Sequence, residues 1–208
     1  LAAAYGTLGN SGMAALALAE EAILEDDPGM ALTQAEHSVD LDKMTQVDLL
    51  ALARQAAEDH LWRAHERGDD LGFESQTEGL RVQGHAVLLR EALGNLIDNA
   101  IKCTQQGSIL VGLRRRGRDA LIQVWDTGIG IAPDMLPHIF ELFVQVDHAA
   151  TKSQGGLGIG LTLARRIVEL HGGGVRAKSP GEGQGATFVV QLPVKAVHAG
   201  DAGDRVHP

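Results

Sequence analysis

Cysteine occurs once in the 208 residues, at Cys103, so the chain can form neither an internal disulfide nor a cysteine-rich metal site, in keeping with a reducing compartment. Aromatic residues make up only 3%, too few for a platform that stacks nucleic-acid bases. Positive charge is also short. Eighteen Lys and Arg against 27 Asp and Glu leave a formal charge of −9, which gives no basic surface to drive binding to nucleic acid or acidic lipid. The run Arg114, Arg115, Arg116 and Arg118 reads as a hairpin or its solvated flank. No segment reads as a membrane span. The opening from Leu1 to Ala19 has the length, but Gly6, Thr7, Gly9, Asn10, Ser11 and Gly12 dilute it, and it lacks the basic start of a signal peptide. What is present, 44% apolar and 22% charged residues, predicts one globular core with a smaller appendage.

The strongest pattern is LREALGNLIDNAIK, Leu89 to Lys102. Leu89, Ala92, Leu93, Leu96, Ile97, Ala100 and Ile101 recur at intervals of three and four, which predicts a helix with one buried side. Glu91, Asn95, Asp98, Asn99 and Lys102 gather on the other side, with Asn95 and Asn99 one turn apart. Asparagine competes with the backbone for hydrogen bonds and disfavours helix interiors, so two on one face suggest a task beyond solvation.

Around this helix the pattern alternates. Residues 1–45, broken at Asp26, Asp27, Pro28 and Gly29, read as a helical appendage or linker, residues 46–194 as the main domain, and 195–208 as a flexible tail. Val47 and Leu49 open a short strand. A single amphipathic helix is expected from Leu50 to Arg67, closed by Gly68, then strands at Leu71–Glu74 and Leu80–Val82 separated by a polar turn. Ser108–Arg114 and Leu121–Trp125, joined through Gly117, Arg118 and Asp119, predict a β-hairpin. Leu161–Leu170 predicts a helix closed by Gly172, Gly173 and Gly174, and Val189–Leu192 a final strand.

Two glycine segments carry the chemistry. Asp126-Thr127-Gly128-Ile129-Gly130-Ile131 follows the hairpin directly: an aspartate at a strand end can accept from an amino group, and the glycines let backbone approach a flat ligand. An ordinary turn has the same composition. Gly155-Gly156-Leu157-Gly158-Ile159-Gly160 opens the helix at Leu161, where free backbone N–H groups and the helix dipole favour an anion such as phosphate. There is no G-x-x-x-x-G-K-[ST] and no complete G-x-G-x-x-G, which argues against a Walker-type ATPase, a dinucleotide fold or a protein kinase of the Gly-rich-loop type.

The ordered set Asn95-x-x-x-Asn99 with Lys102, Asp126-x-Gly128-x-Gly130, Phe140-x-x-Phe143, Gly156-x-Gly158-x-Gly160 and Gly183-x-Gly185-x-Thr187 resembles the ATP-binding catalytic domain of sensor histidine kinases, over about residues 46–194. That family lies within a wider group of ATPases with DNA gyrase, mismatch-repair ATPases and heat-shock chaperones, and the phenylalanine block favours the kinase branch. The resemblance implies a two-layer α/β sandwich, a mixed and mostly antiparallel sheet covered on one face by helices.

It also implies roles for matching positions. Asp126 accepts the adenine amino group, Gly128 and Gly130 let the ring approach, Ile131 packs near it and Thr187 helps at that end. Asn99 offers its carbonyl oxygen to Mg²⁺, with Asn95 and Lys102 near the triphosphate. Leu157, Gly158 and Gly160 close over the phosphates, and residues 144–156, with Lys152 as a phosphate contact, form a lid. Glu91 orients the nucleophile or acts as base, or is a plain surface glutamate. ATP and Mg²⁺ are the implied ligands. The implied partners are a phosphoacceptor helix-pair domain, dimeric in the full-length protein, and a response regulator. The implied place is the cytoplasmic part of a membrane-bound sensor, with no direct membrane contact from this chain.

One departure stands against these matches. The acceptor histidine of such kinases lies in a pattern like His-Glu-x-x-x-Pro, and none occurs here; His37, in Glu36-His37-Ser38-Val39-Asp40, lacks the downstream basic residue and proline. His60, His65 and His85 are expected to be surface or packing residues. The start without methionine suggests a fragment whose acceptor lies upstream. Two functions stay open at this point: phosphoryl transfer to a histidine elsewhere, or an ATP-binding regulatory or ATPase module without kinase activity.

Overall fold

The structure, a computed structural model, describes residues 44–141 and 159–194. Residues 1–43 of the expected appendage, the lid and the tail, with Lys152, Leu157 and Gly158, lie outside the described residues.

The central helix, α3 (Ala86–Cys103), buries Leu88, Leu89, Ala92, Leu93, Leu96, Ile97, Ala100 and Ile101, the side its periodicity marks. It lies between α1 (Leu49–Glu58) and α4 (Gly160–Leu170). Asp48 caps α1, its carboxylate accepting from the N–H groups of Leu50 (3.0 Å) and Ala51 (3.2 Å).

Beneath these helices run β2 (Asp70–Ser75), β4 (Ser108–Arg116), β5 (Asp119–Asp126), β6 (Gly174–Lys178) and β7 (Ala186–Pro193), in the spatial order β2-β4-β5-β7-β6. Among the described strands, only β2 and β4 pair in parallel. Alternation along the strands turns Ile109, Val111, Leu113, Ile122, Val124, Phe188, Val190 and Leu192 into one core with the helices. The other face carries the half-exposed Trp125. The sheet is thus mixed, mostly antiparallel and helix-covered on one face, as expected.

Two expectations need correction. The helix expected over Leu50–Arg67 is two, α1 and α2 (Leu61–Glu66). The ring Nδ1 of His60 lies 2.7 Å from the carbonyl oxygen of Ala56, while the His60 backbone N–H donates instead to Ala57, 3.1 Å away, which tightens and ends the turn. The strands expected at Leu71–Glu74 and Leu80–Val82 are present, and they join different sheets: β2 pairs with β4, and β3 (Arg81–Gly84) with β1 (Thr45–Asp48) in a separate two-stranded ribbon. Finally, the glycines after α4 do more than end a helix. Gly173 packs so closely on the Gln191 carbonyl that a Cβ would overlap it, and β6 follows at once along β7.

Candidate functional site

Asp126 ends β5 on the helix-covered face, at the top of the column Ile122, Val124, Asp126. The carboxylate is buried, and its Oδ1 accepts from the backbone N–H groups of Gly128 (2.9 Å) and Ala186 (3.2 Å). Among the described residues, Oδ2 accepts no hydrogen bond. Burial pushes this carboxyl above its ordinary value, and the two N–H donors offset that only in part.

The loop after Asp126 is knitted to the loop before β7. Ile129 accepts from Gly183 N–H and Gly128 from Gly185 N–H, while Ile129 N–H donates to Cys103 at the end of α3. Gly130 (φ +69°) and Gly185 (φ +69°) are the points of closest approach, where a Cβ would overlap the carbonyl oxygens of Gly181 and Asp126 respectively. A Cβ on Gly128 would likewise meet the Cys103 carbonyl, so chain-on-chain packing alone demands these glycines. Ser179, which the sequence reading passed over, ties the two loops. Its hydroxyl accepts from Ile131 N–H (3.0 Å) and Gly181 N–H (3.2 Å) and donates to the Gly185 carbonyl (2.7 Å). Ile131 is thereby held in a buried position.

Thr187 requires a correction. The register pairs Thr187 with Trp125 and Lys178, on the sheet face turned away from the helices, whereas Ala186 lies opposite Asp126. The period of two therefore gives the position beside the carboxylate to Ala186, whose backbone N–H occupies it.

On α3, Asn95 donates from Nδ2 to the Glu91 carbonyl (3.2 Å). Its Oδ1 faces Gly160, where a Cβ would stand 3.0 Å away, so the first turn of α4 rests against Asn95. Asn99, partly exposed, carries no hydrogen bond from its side chain among the described residues, and Lys102 is exposed a turn further on. Glu91 is partly exposed one turn before Asn95.

Phe140 closes this end. Its ring meets Phe188 edge-on at 6.2 Å, the Arg165 guanidinium lies 5.8 Å from its centre, and its carbonyl accepts from Thr162 Oγ1 at 3.0 Å. The chain entering residue 142 is thus anchored to the helix that begins after residue 158. Phe143 lies outside the described residues.

His171 is a packing histidine beside the backbone of His85. His171 Nδ1 faces the Ile167 carbonyl at 2.7 Å and donates to it, so Nε2 accepts from the His85 backbone N–H at 3.0 Å. Burial holds the His171 ring below its ordinary value, in keeping with that neutral form.

A floor carboxylate at a strand end, joined by glycine loops to a helix with a polar stripe, defines an α/β nucleotide-binding domain. Residues 84–196 match the family model described as histidine kinase-, DNA gyrase B-, and HSP90-like ATPase. The sensor-like histidine kinase SenX3 of Mycobacterium tuberculosis is 36% identical over 173 residues, 80% of this chain and 41% of SenX3. Among solved structures, the catalytic domain of histidine kinase ThkA is similar at TM-score 0.64 and 27% identity, over 73% of this chain and 96% of that one. Full-length ShkA in complex with AMPPNP is similar at TM-score 0.65 and 28% identity, over 81% of this chain and 39% of ShkA. The chain belongs to the histidine kinase-, DNA gyrase B- and HSP90-like ATPase family, and within it is similar to the catalytic domains of sensor histidine kinases. It spans about 41% of the length of the SenX3 proteins it matches.

Proposed function

We propose that this domain transfers the γ-phosphoryl group of ATP to a histidine imidazole on a separate helix-pair domain, dimeric in the whole protein, as the first step of two-component signalling. The observation that carries this reading is the placement of Asn95 and Asn99 on one stripe of α3, with Asn95 against the start of α4, while the same helix ends at the loop of Asp126. Asp126 Oδ2 accepts the adenine amino group, Ile131 packs beside the ring, and Asn95, Lys102 and the chain leading into Gly160 meet the phosphates.

The residues also fit Mg²⁺. Among the described residues no group of three His, Cys, Asp or Glu could hold a metal alone, and Mg²⁺ is commonly held by one or two protein oxygens plus substrate phosphates. Asn99, with an uncommitted amide oxygen, is that protein ligand. When bound, Mg²⁺ neutralises charge on the phosphates. In the transfer, an imidazole nitrogen bonds to the γ-phosphorus as the bridging oxygen leaves with ADP. Glu91 orients the incoming ring or takes its proton, and residues 144–156, with Lys152, Leu157 and Gly158, close over the phosphates.

We further propose residues 46–194 as the catalytic unit, residues 1–45 as the connection toward the acceptor region, and a response regulator as the downstream partner. We place the domain on the cytoplasmic side of a membrane-bound sensor; among the described residues no helix is long and apolar enough to cross a membrane. The test is transfer of label. Incubated alone with γ-labelled ATP, the chain should acquire little acid-labile phosphate, and adding the acceptor domain should produce phosphohistidine at a rate that rises with its concentration. Strong self-labelling removed by His37→Ala would overturn the separate-acceptor reading. Labelling that survives substitution of every histidine would overturn the kinase reading.

A further inference from the structure

His60 occupies the break between α1 and α2 with its ring against α3. Its Nδ1 lies 2.7 Å from the Ala56 carbonyl oxygen and its Nε2 3.3 Å from Oδ1 of Asp98. Both neighbours are acceptors. A neutral imidazole has one N–H, so in either tautomer a ring lone pair would face a second acceptor, and only the imidazolium donates to both. Gly94 leaves room for the ring, since a Cβ there would come within 3.4 Å of its Cε1. Arg63, three residues on, donates to the same Asp98 oxygen at 2.5 Å. Asp59, next to His60, is paired with Arg90 of α3, 3.9 Å apart.

Asp98 sits between Asn95 and Asn99 on α3, and its carboxylate is the point at which α2 grips that turn. We propose that His60 is a positioning residue for the nucleotide site: its imidazolium, through Asp98, clamps the turn of α3 that bears Asn95 and Asn99. The inference rests on those asparagines meeting the nucleotide. The direction of titration agrees, because the Asp98 hydrogen bond raises the ring's affinity for its proton more than burial lowers it. A raised folded value means that the clamp is complete below the ordinary 6.5 and is lost as pH rises through the folded value. If the clamped turn is the form that binds nucleotide, saturation with nucleotide should raise the folded value further. A rise of about half a unit corresponds to about a threefold change in affinity.

The test follows the His60 ring protons of this chain by NMR across pH, assigned by their disappearance in His60→Gln. The midpoint should lie above 6.5 without nucleotide, move upward with saturating AMPPNP and Mg²⁺, and fall in Asp98→Asn. Nucleotide affinity of the wild type, divided by that of His60→Gln, should drop about threefold between pH 6.5 and pH 9. A merely structural histidine would give a constant ratio. A wild-type midpoint at or below 6.5, or a constant ratio, overturns the proposal while leaving the site intact. Unchanged affinity in Asn99→Ala would overturn the site reading and this inference with it.

Discussion

Replacing Asp126 by asparagine separates binding from folding. The amide oxygen of Asn can keep both hydrogen bonds now made by Oδ1, from Gly128 and Ala186, so the loops need not move. Its NH₂ then stands where Oδ2 was and presents a donor to the donor of the adenine amino group. Losing a hydrogen bond to a charged acceptor costs about 1.5–3 kcal/mol, or about tenfold to hundredfold in affinity. Stability should respond in the opposite sense. Burial raises the Asp126 carboxyl above its ordinary value of 3.8, so the folded state binds the proton more tightly than the unfolded chain, and stability falls as pH rises through the folded value. The variant, with nothing to ionise, should be at least as stable as wild type at pH 7. Calorimetric titration with AMPPNP and Mg²⁺, beside thermal melts at pH 7, measures both quantities. Wild-type affinity in Asp126→Asn would refute the placement of adenine, and a sharply lowered melting temperature would refute the hydrogen-bond account.

Two further substitutions test other parts of the site. Asn99→Ala should lose most of the Mg²⁺-dependent part of nucleotide affinity and keep its melting temperature, because the side chain makes no hydrogen bond among the described residues; titrations with and without Mg²⁺ decide it. Gly185→Ala, at φ +69° and against the Asp126 carbonyl, should destabilise by more than about 2 kcal/mol in denaturant unfolding, whereas an open turn position would show less than half of that.

Elements defined by local periodicity were legible in the sequence. The buried side of α3 follows from its three- and four-residue spacing, and the β4–β5 hairpin from alternation across a Gly-containing turn. What escaped depended on contacts distant in the chain or on side chains acting against propensity. The break at His60 arises because one imidazole takes up a helical carbonyl, and β6 is masked by glycines whose reason is a carbonyl on β7. The pairing of β2 with β4 joins segments with α3 between them, which no local pattern specifies. For the candidate site, motif order singled out Asp126 and the asparagine stripe as the residues to propose. The misplacement of Thr187 came from parity: a strand beginning at Ala186 points alternate residues to opposite faces, and one position decides which. Ser179 had only a weak signal, a hydroxyl in a Ser-Pro-Gly turn ahead of the glycine pair.

The central claim is that Asp126 and Asn99 serve two ends of one nucleotide. Its most direct measurement is a backbone and side-chain amide NMR titration of this chain, first with AMPPNP and then with Mg²⁺. The Gly128 and Ala186 amides should shift with AMPPNP alone, and the Asn99 side-chain amide should shift chiefly when Mg²⁺ is added. Shifts confined to other parts of the fold, or an Asn99 amide indifferent to Mg²⁺, would contradict it.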